Sequence, residues 1–163
     1  MTIGLLKDVA HTRPKDVRLL GLDIGTKTIG LAISNDDQTI ATPLHTIERT
    51  KFIRDVEALG KVIREFSVGG LVVGWPLNMD GTQGASCDRV RSFVDELKNY
   101  PQQLGVDAGT SLWIAFWDER LSTSAVDDFL INSVDMSRTK RDAVIDKLAA
   151  QLILAGALDY LNR

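Results

Sequence analysis

The 163-residue chain has one cysteine, Cys87, so no disulfide can close within it, and a reducing compartment is expected. It lacks any apolar run near the ~18 residues of a membrane-spanning helix; the densest clusters are 112–117 and 148–158. It has no excess of positive charge: Lys plus Arg is 19 against Asp plus Glu at 22, a formal net charge of −3. That excludes a strongly basic nucleic-acid coat protein, though not an enzyme that concentrates its cations locally. No period of 20 to 50 residues repeats and no low-complexity tract occurs. His11 and His45 stand apart, without the Cys/His spacing of a zinc site. Residues 1–17 lack the apolar core and cleavage site of a secretory signal, and their mixed charges make a poor transit peptide. They are expected to form a short helical or disordered extension before a single domain over 18–163, in a cytoplasmic protein; such an extension leaves an organelle open.

With 44% hydrophobic and 25% charged residues, the composition is that of a globular domain. Residues 18–23 (RLLGLD) predict a buried strand, 24–27 a glycine-containing turn, and 28–34 (TIGLAIS) a second strand. A third is expected over 39–48, with Pro43 pushing it to an edge or a bulge. Phe52, Val56, Leu59, Val62, Ile63 and Phe66 recur at helical steps. Residues 70–75 (GLVVGW) predict a strand, 78–84 (NMDGTQG) a glycine-bearing loop, and Val90, Phe93, Val94 and Leu97 a helix ending near Pro101. The run 112–117 (LWIAFW) is a continuous apolar strand, followed by helices over about 122–133 and 137–160. This order predicts an α/β fold: a mixed five-stranded sheet, made of a three-strand antiparallel meander plus two parallel strands, with helices on both faces.

Several acids occupy positions that disfavour acids. Asp23 sits between Leu22 and Ile24 in an apolar strand, where an unpaired charge is costly; it either caps the turn at Gly25 or serves at the sheet's active edge. Asp118 and Glu119 follow the 112–117 strand at the end where ligands gather in parallel sheets. By alternation Glu119 shares a face with Trp117 and Ala115, and Asp118 does not. Both could instead be first-turn acids favoured by a helix dipole. In the last helix Ala149, Ala150, Ile153, Leu154 and Ala157 form an apolar arc with Asp146 near its middle, and Asp142 one turn earlier is a second candidate. A buried ion pair is the competing reading for Asp146. Converging carboxylates without His or Cys suit the hard ions Mg²⁺ or Mn²⁺, and two such ions can drive phosphodiester cleavage.

The segments LLGLDIGTKTIGLAIS (19–34), VVGWPLNMDGTQG (72–84), DERLST (118–123) and VIDKLAAQLIL (144–154) resemble, in order, the YqgF family of ribonuclease-H-like nucleases, also called RuvX. The resemblance spans about residues 18–161. It implies a ribonuclease-H-like fold, and metal-dependent cleavage of nucleic acid with Asp23, Glu119 and Asp146 as catalytic acids and metal ligands. The expected process is 5′-end maturation of pre-16S rRNA in ribosome biogenesis; the alternative is resolution of four-way DNA junctions in recombination. The partner is then structured RNA or branched DNA rather than a membrane, with the chain a monomer or homodimer. Candidate substrate contacts are Lys27 and Arg120 beside the acids, Asn78 and Thr82 in the glycine loop, and Arg138, Lys140 and Arg141 before the Asp146 helix. The chain departs from the family pattern at Thr28, where a basic residue is frequent, and at Trp75, where a smaller aliphatic residue is usual.

Two other classes compete. Asp23-Ile24-Gly25-Thr26 is close to the DxGxT signature of sugar-kinase and actin-like ATPases, whose paired lobes 163 residues cannot build. A non-catalytic nucleic-acid-binding module is the other. In a thermal-shift measurement Mn²⁺ should raise the melting temperature and ATP without metal should not; stabilisation by ATP alone would favour the ATPase class.

Overall fold

The computed structural model describes residues 1–105, 112–121 and 138–163. In chain order these form β1 (Thr2–Leu5), a short α1 (Leu6–Val9), β2 (Arg18–Ile24), β3 (Thr28–Ser34), β4 (Ala41–Glu48) and α2 (Phe52–Glu65). There follow β5 (Val68–Trp75), α3 (Ala85–Leu97), the single turn α4 (Pro101–Leu104), β6 (Trp113–Asp118) and α5 (Arg138–Leu161). The helix expected over 122–133 lies outside the described residues.

The strands form one sheet in the order β1-β6-β5-β2-β3-β4. The pairs β2/β3 and β3/β4 are antiparallel, which is the expected meander, while β2/β5, β5/β6 and β1/β6 are parallel. β4 is an edge strand, and its register with β3 shifts opposite Pro43, as the missing N–H of proline requires.

The sheet has six strands rather than five, because the first residues add one. Thr2–Leu5 runs parallel to β6, and Leu6 and Val9 are buried against Trp113, whose indole N–H donates to the Val9 carbonyl at 3.1 Å. The Gln38 amide holds the carbonyls of Pro14 and Val17, each at 2.8 Å. Where a helical or disordered extension was expected, residues 2–5 are therefore an edge strand of the sheet, and the short helix Leu6–Val9 after them is docked on it. Four residues containing a glycine give almost no periodicity, and their pairing partner lies more than 100 positions away.

Alternation divides the core. Leu20, Leu22, Leu71, Val73, Trp75 and Ile114 face α2 and α3, whereas Leu19, Ala32, Val72 and Ala115 face α5 through Ala150, Ile153, Leu154 and Ala157. Asp23 has the parity of Leu19, so it belongs to the α5 face. There α5 lies close to the sheet: a Cβ added to Gly30 would come within 2.1 Å of the Asp146 carbonyl oxygen. Only a residue without a side chain lets backbone meet backbone here. Gly30→Ala should push α5 outward at its Asp146 turn, costing about 1–3 kcal/mol. In a melting experiment that corresponds to roughly 2–4 °C per kcal/mol; an unchanged melting temperature would show that this contact is soft.

Candidate active site

Asp23 lies one residue from the end of β2 and pairs in register with Gly30. Glu119 follows β6 directly, on the α5 face, as alternation from Ala115 requires. Its carboxyl rests on the backbone of Gly74: a Cβ at that position would come within 2.2 Å of Glu119 Oε1. A glycine one residue before the end of β5 is thus the floor that admits the glutamate. Asp146 comes from α5, and its Oδ2 accepts a hydrogen bond from the Thr28 hydroxyl at the start of β3. One face at one end of the sheet carries all three acids.

Their electrostatics follow from burial. Desolvation, then the adjacent Asp23 charge, push the Glu119 carboxyl up to about 8, and it holds a proton that it donates to Asp23. Asp23 is also raised, by burial first and by the Asp146 charge as well, against the lowering effect of the Glu119 hydrogen bond. Asp23 and Glu119 are thus in contact, while Asp146 is near enough to act on Asp23 but is turned to Thr28. Among the described residues no three Asp, Glu, His or Cys side chains close into a ready metal cage. The oxygen-only donor set and the proton held between two carboxylates suit a hard divalent ion, which would take the place of that proton. Mg²⁺ characteristically uses one or two carboxylates with water and substrate phosphate, so a preformed three-carboxylate cage is not required.

Asp118 is on the other face. It accepts from Arg120 at 2.6 Å, and that guanidinium holds its carboxyl below the usual range. Arg120 is therefore committed to Asp118 rather than aimed at the acids. Asn78 and Thr82 bond to each other: the Asn78 amide donates to Thr82 Oγ1 at 3.0 Å, and that hydroxyl donates to Asp80 at 2.6 Å. The expected phosphate loop closes on itself and includes a carboxylate. Lys27 is exposed in the β2–β3 turn. Arg138, Lys140 and Arg141 lie in the first turn of α5, and their side chains, like that of Asp142, lie outside the described residues. Cys87 is 1% exposed and serves as packing.

Two arginines that stand in the sequence only within clusters of positive charge, Arg89 with Arg91 and Arg49 with Lys51 and Arg54, bear on the acids. Arg89 in α3 lowers both Asp23 and Glu119 without forming an ion pair with either, and its buried Nε has no hydrogen-bond partner. Arg49 is turned inward: it donates to the Gly25 carbonyl at 2.8 Å and pairs with buried Asp55 at 3.4 Å, fixing the turn after Asp23.

A meander continued by parallel strands, with acids at the ends of its first strand and of β6 and on the covering helix, defines a ribonuclease-H-like nuclease fold. The chain belongs to the RuvX family, whose model, described as Holliday junction resolvase, matches residues 17–160. It is 48% identical over 163 residues to a protein of Rhodospirillum centenum named "Putative pre-16S rRNA nuclease", covering all of this chain and 84% of that one. A relative of the same name from Paramagnetospirillum magneticum is 51% identical over 145 residues, covering 89% and 87%. Among solved structures, Thermus thermophilus RuvC in complex with a Holliday junction substrate is similar with a TM-score of 0.46 and 13% identity, covering 84% of this chain and 91% of that one.

Because Glu119 is protonated in the folded state to about pH 8 but in the unfolded chain only to about 4.5, the fold binds the extra proton between those values. Stability of the metal-free protein should therefore fall as pH rises from about 5 to 8 and then level off. Melting curves in EDTA should show this slope in the wild type and a flatter one in Glu119→Gln. Equal slopes would mean that Glu119 does not carry the proton.

Proposed function

We propose that this protein is a metal-dependent nuclease that hydrolyses phosphodiester bonds in the 5′-end maturation of pre-16S rRNA, in the cytoplasm. What carries the reading is the half-buried Glu119–Asp23 pair over Gly74, with Asp146 beside it: carboxyl groups that the fold brings together at a considerable cost. Structural needs alone do not call for such a pair, and a cation accounts for it. Asp23, Glu119 and Asp146 would hold Mg²⁺ or Mn²⁺, Asp23 being the central ligand because both other acids act on it. When bound, one or two such ions supply the Lewis acidity that polarises a phosphodiester and acidifies water.

The chain's own residues do the rest. Glu119 gives up its shared proton on loading, which makes metal affinity rise with pH towards about 8. Thr28 orients the Asp146 carboxylate from below. Arg89 brings a positive charge to the acids without forming an ion pair with them. Lys27, at the tip of the β2–β3 turn, can meet the strand further along.

The relatives' shared name favours RNA over the junction substrate in the family's description. Precursor 16S RNA and a four-way DNA junction should be offered in parallel with Mg²⁺, Mn²⁺ or EDTA. The RNA should be cut only with metal, and Asp23→Asn should lose at least about a hundredfold in rate, several kcal/mol of barrier. Equal cutting by Asp23→Asn would overturn the mechanism; faster cutting of the junction would move the substrate to DNA.

A further inference from the structure

Beside the acids, at the same end of the sheet, a half-open cavity of about 520 Å³ lies between the ends of β5 and β6 and the segment Leu5–Lys7. None of Asp23, Glu119 and Asp146 lines it, yet it begins one strand step from them. Trp75 follows the Gly74 on which Glu119 rests, and Asp118 precedes Glu119; Trp75 and Asp118 are paired in register, and both line the cavity. One step along a strand is ~3.3 Å.

The lining has two characters. Its floor and walls are aromatic: Trp75 and Phe116 meet at 4.8 Å between centroids, and Trp117 and Tyr160 at 6.0 Å. Trp75 is only 4% exposed, so it is part of the floor, whereas Tyr160 is 36% exposed at the mouth. The rim carries Lys7, Arg120 and Arg163 against the single acid Asp118, in a chain whose net charge is −3. Asp118 fixes Arg120 through both carboxylate oxygens, leaving a planar guanidinium held at the edge. Aromatic faces inside a cationic rim match a nucleotide, with an apolar base and anionic phosphates, and the volume falls within the ~300–1,000 Å³ of small-ligand sites. A base stacked in a duplex exposes only its edges to a concave site, so an unpaired base is the form that fits.

We propose that this cavity binds one unpaired nucleotide of the RNA strand, next to the phosphate to be cut, with its base against the aromatic wall and its phosphates towards Lys7, Arg120 and Arg163. The proposal rests on the nuclease reading and adds the requirement for a single-stranded flank.

Single-stranded RNA carrying 2-aminopurine at successive positions around the cut tests it, with binding followed in EDTA and cleavage followed with Mg²⁺. One position should be quenched on binding to the wild type. Tyr160→Ala should abolish the quench and weaken binding about tenfold, the scale of one lost stacking contact. Tyr160→Phe should restore both. Lys7→Gln should weaken binding while leaving the quench. RNA that is bound and cut without quenching at any position would overturn the cavity's role, as would wild-type quenching by Tyr160→Ala. RNA neither bound nor cut by the wild type would instead sink the nuclease reading, and this proposal with it.

Discussion

A proton held between two buried carboxylates is the constraint around which this site is organised. Glu119 and Asp23 cannot both be charged at their separation without something positive between them. In the metal-free protein a proton takes that place; burial raises both groups above their ordinary range, and the hydrogen bond from Glu119 offsets part of the rise at Asp23. A divalent ion is the stronger candidate for the same position. The arrangement survives because the surrounding sheet and α5 are tightly packed: their interdigitated Leu, Ile, Val and Ala side chains hold the half-buried acids in place.

Two glycines set how near the acids can come. Gly74 makes room for the Glu119 carboxyl, and Gly30 lets the α5 backbone sit on β3, which brings Asp146 to Thr28. Both lie in strands, where a glycine forfeits packing and conformational entropy. What they permit is an approach that any Cβ would block. The cations are rationed in a similar way. Arg49 is used in holding the turn after Asp23, and Arg120 in holding Asp118, so neither neutralises the acids. Among the described residues Arg89 is felt by both Asp23 and Glu119, from beyond ion-pair distance.

The acids were legible in the sequence because each violates a local periodicity. Alternation separates Glu119 from Asp118, and the helical arc of Ala149, Ala150, Ile153, Leu154 and Ala157 singles out Asp146. The meander and the parallel strands were legible for the same reason, being long, apolar and regular. The edge strand β1 was not, since four residues carry no period and the pairing is distant. Arg89 stands out in the sequence only as part of a positive cluster with Arg91; its bearing on the acids depends on a long side chain reaching from another element. The glycine loop misled: its composition suggests open N–H groups, but Asn78, Asp80 and Thr82 satisfy one another. Local chemistry of that kind competes with ligand binding and cannot be read from residue type alone.

Thr28 and Asp146 show why the third acid is the adjustable one. Glu119 and Asp23 project from or just beyond strand ends whose positions are fixed by registers of five or six residue pairs with their neighbours. Asp146 sits on a helix, on a longer lever, and its carboxylate is already given to a hydroxyl. A threonine hydroxyl is a weak competitor for a carboxylate compared with a divalent cation, but a firm guide for its rotamer until one arrives. The pair on the strands therefore defines where an ion belongs, and the helix acid completes the shell on arrival. This division of labour also explains why the backbone of α5 is held so close to the sheet at this turn: with the helix fixed at Gly30, only the Asp146 side chain has to move.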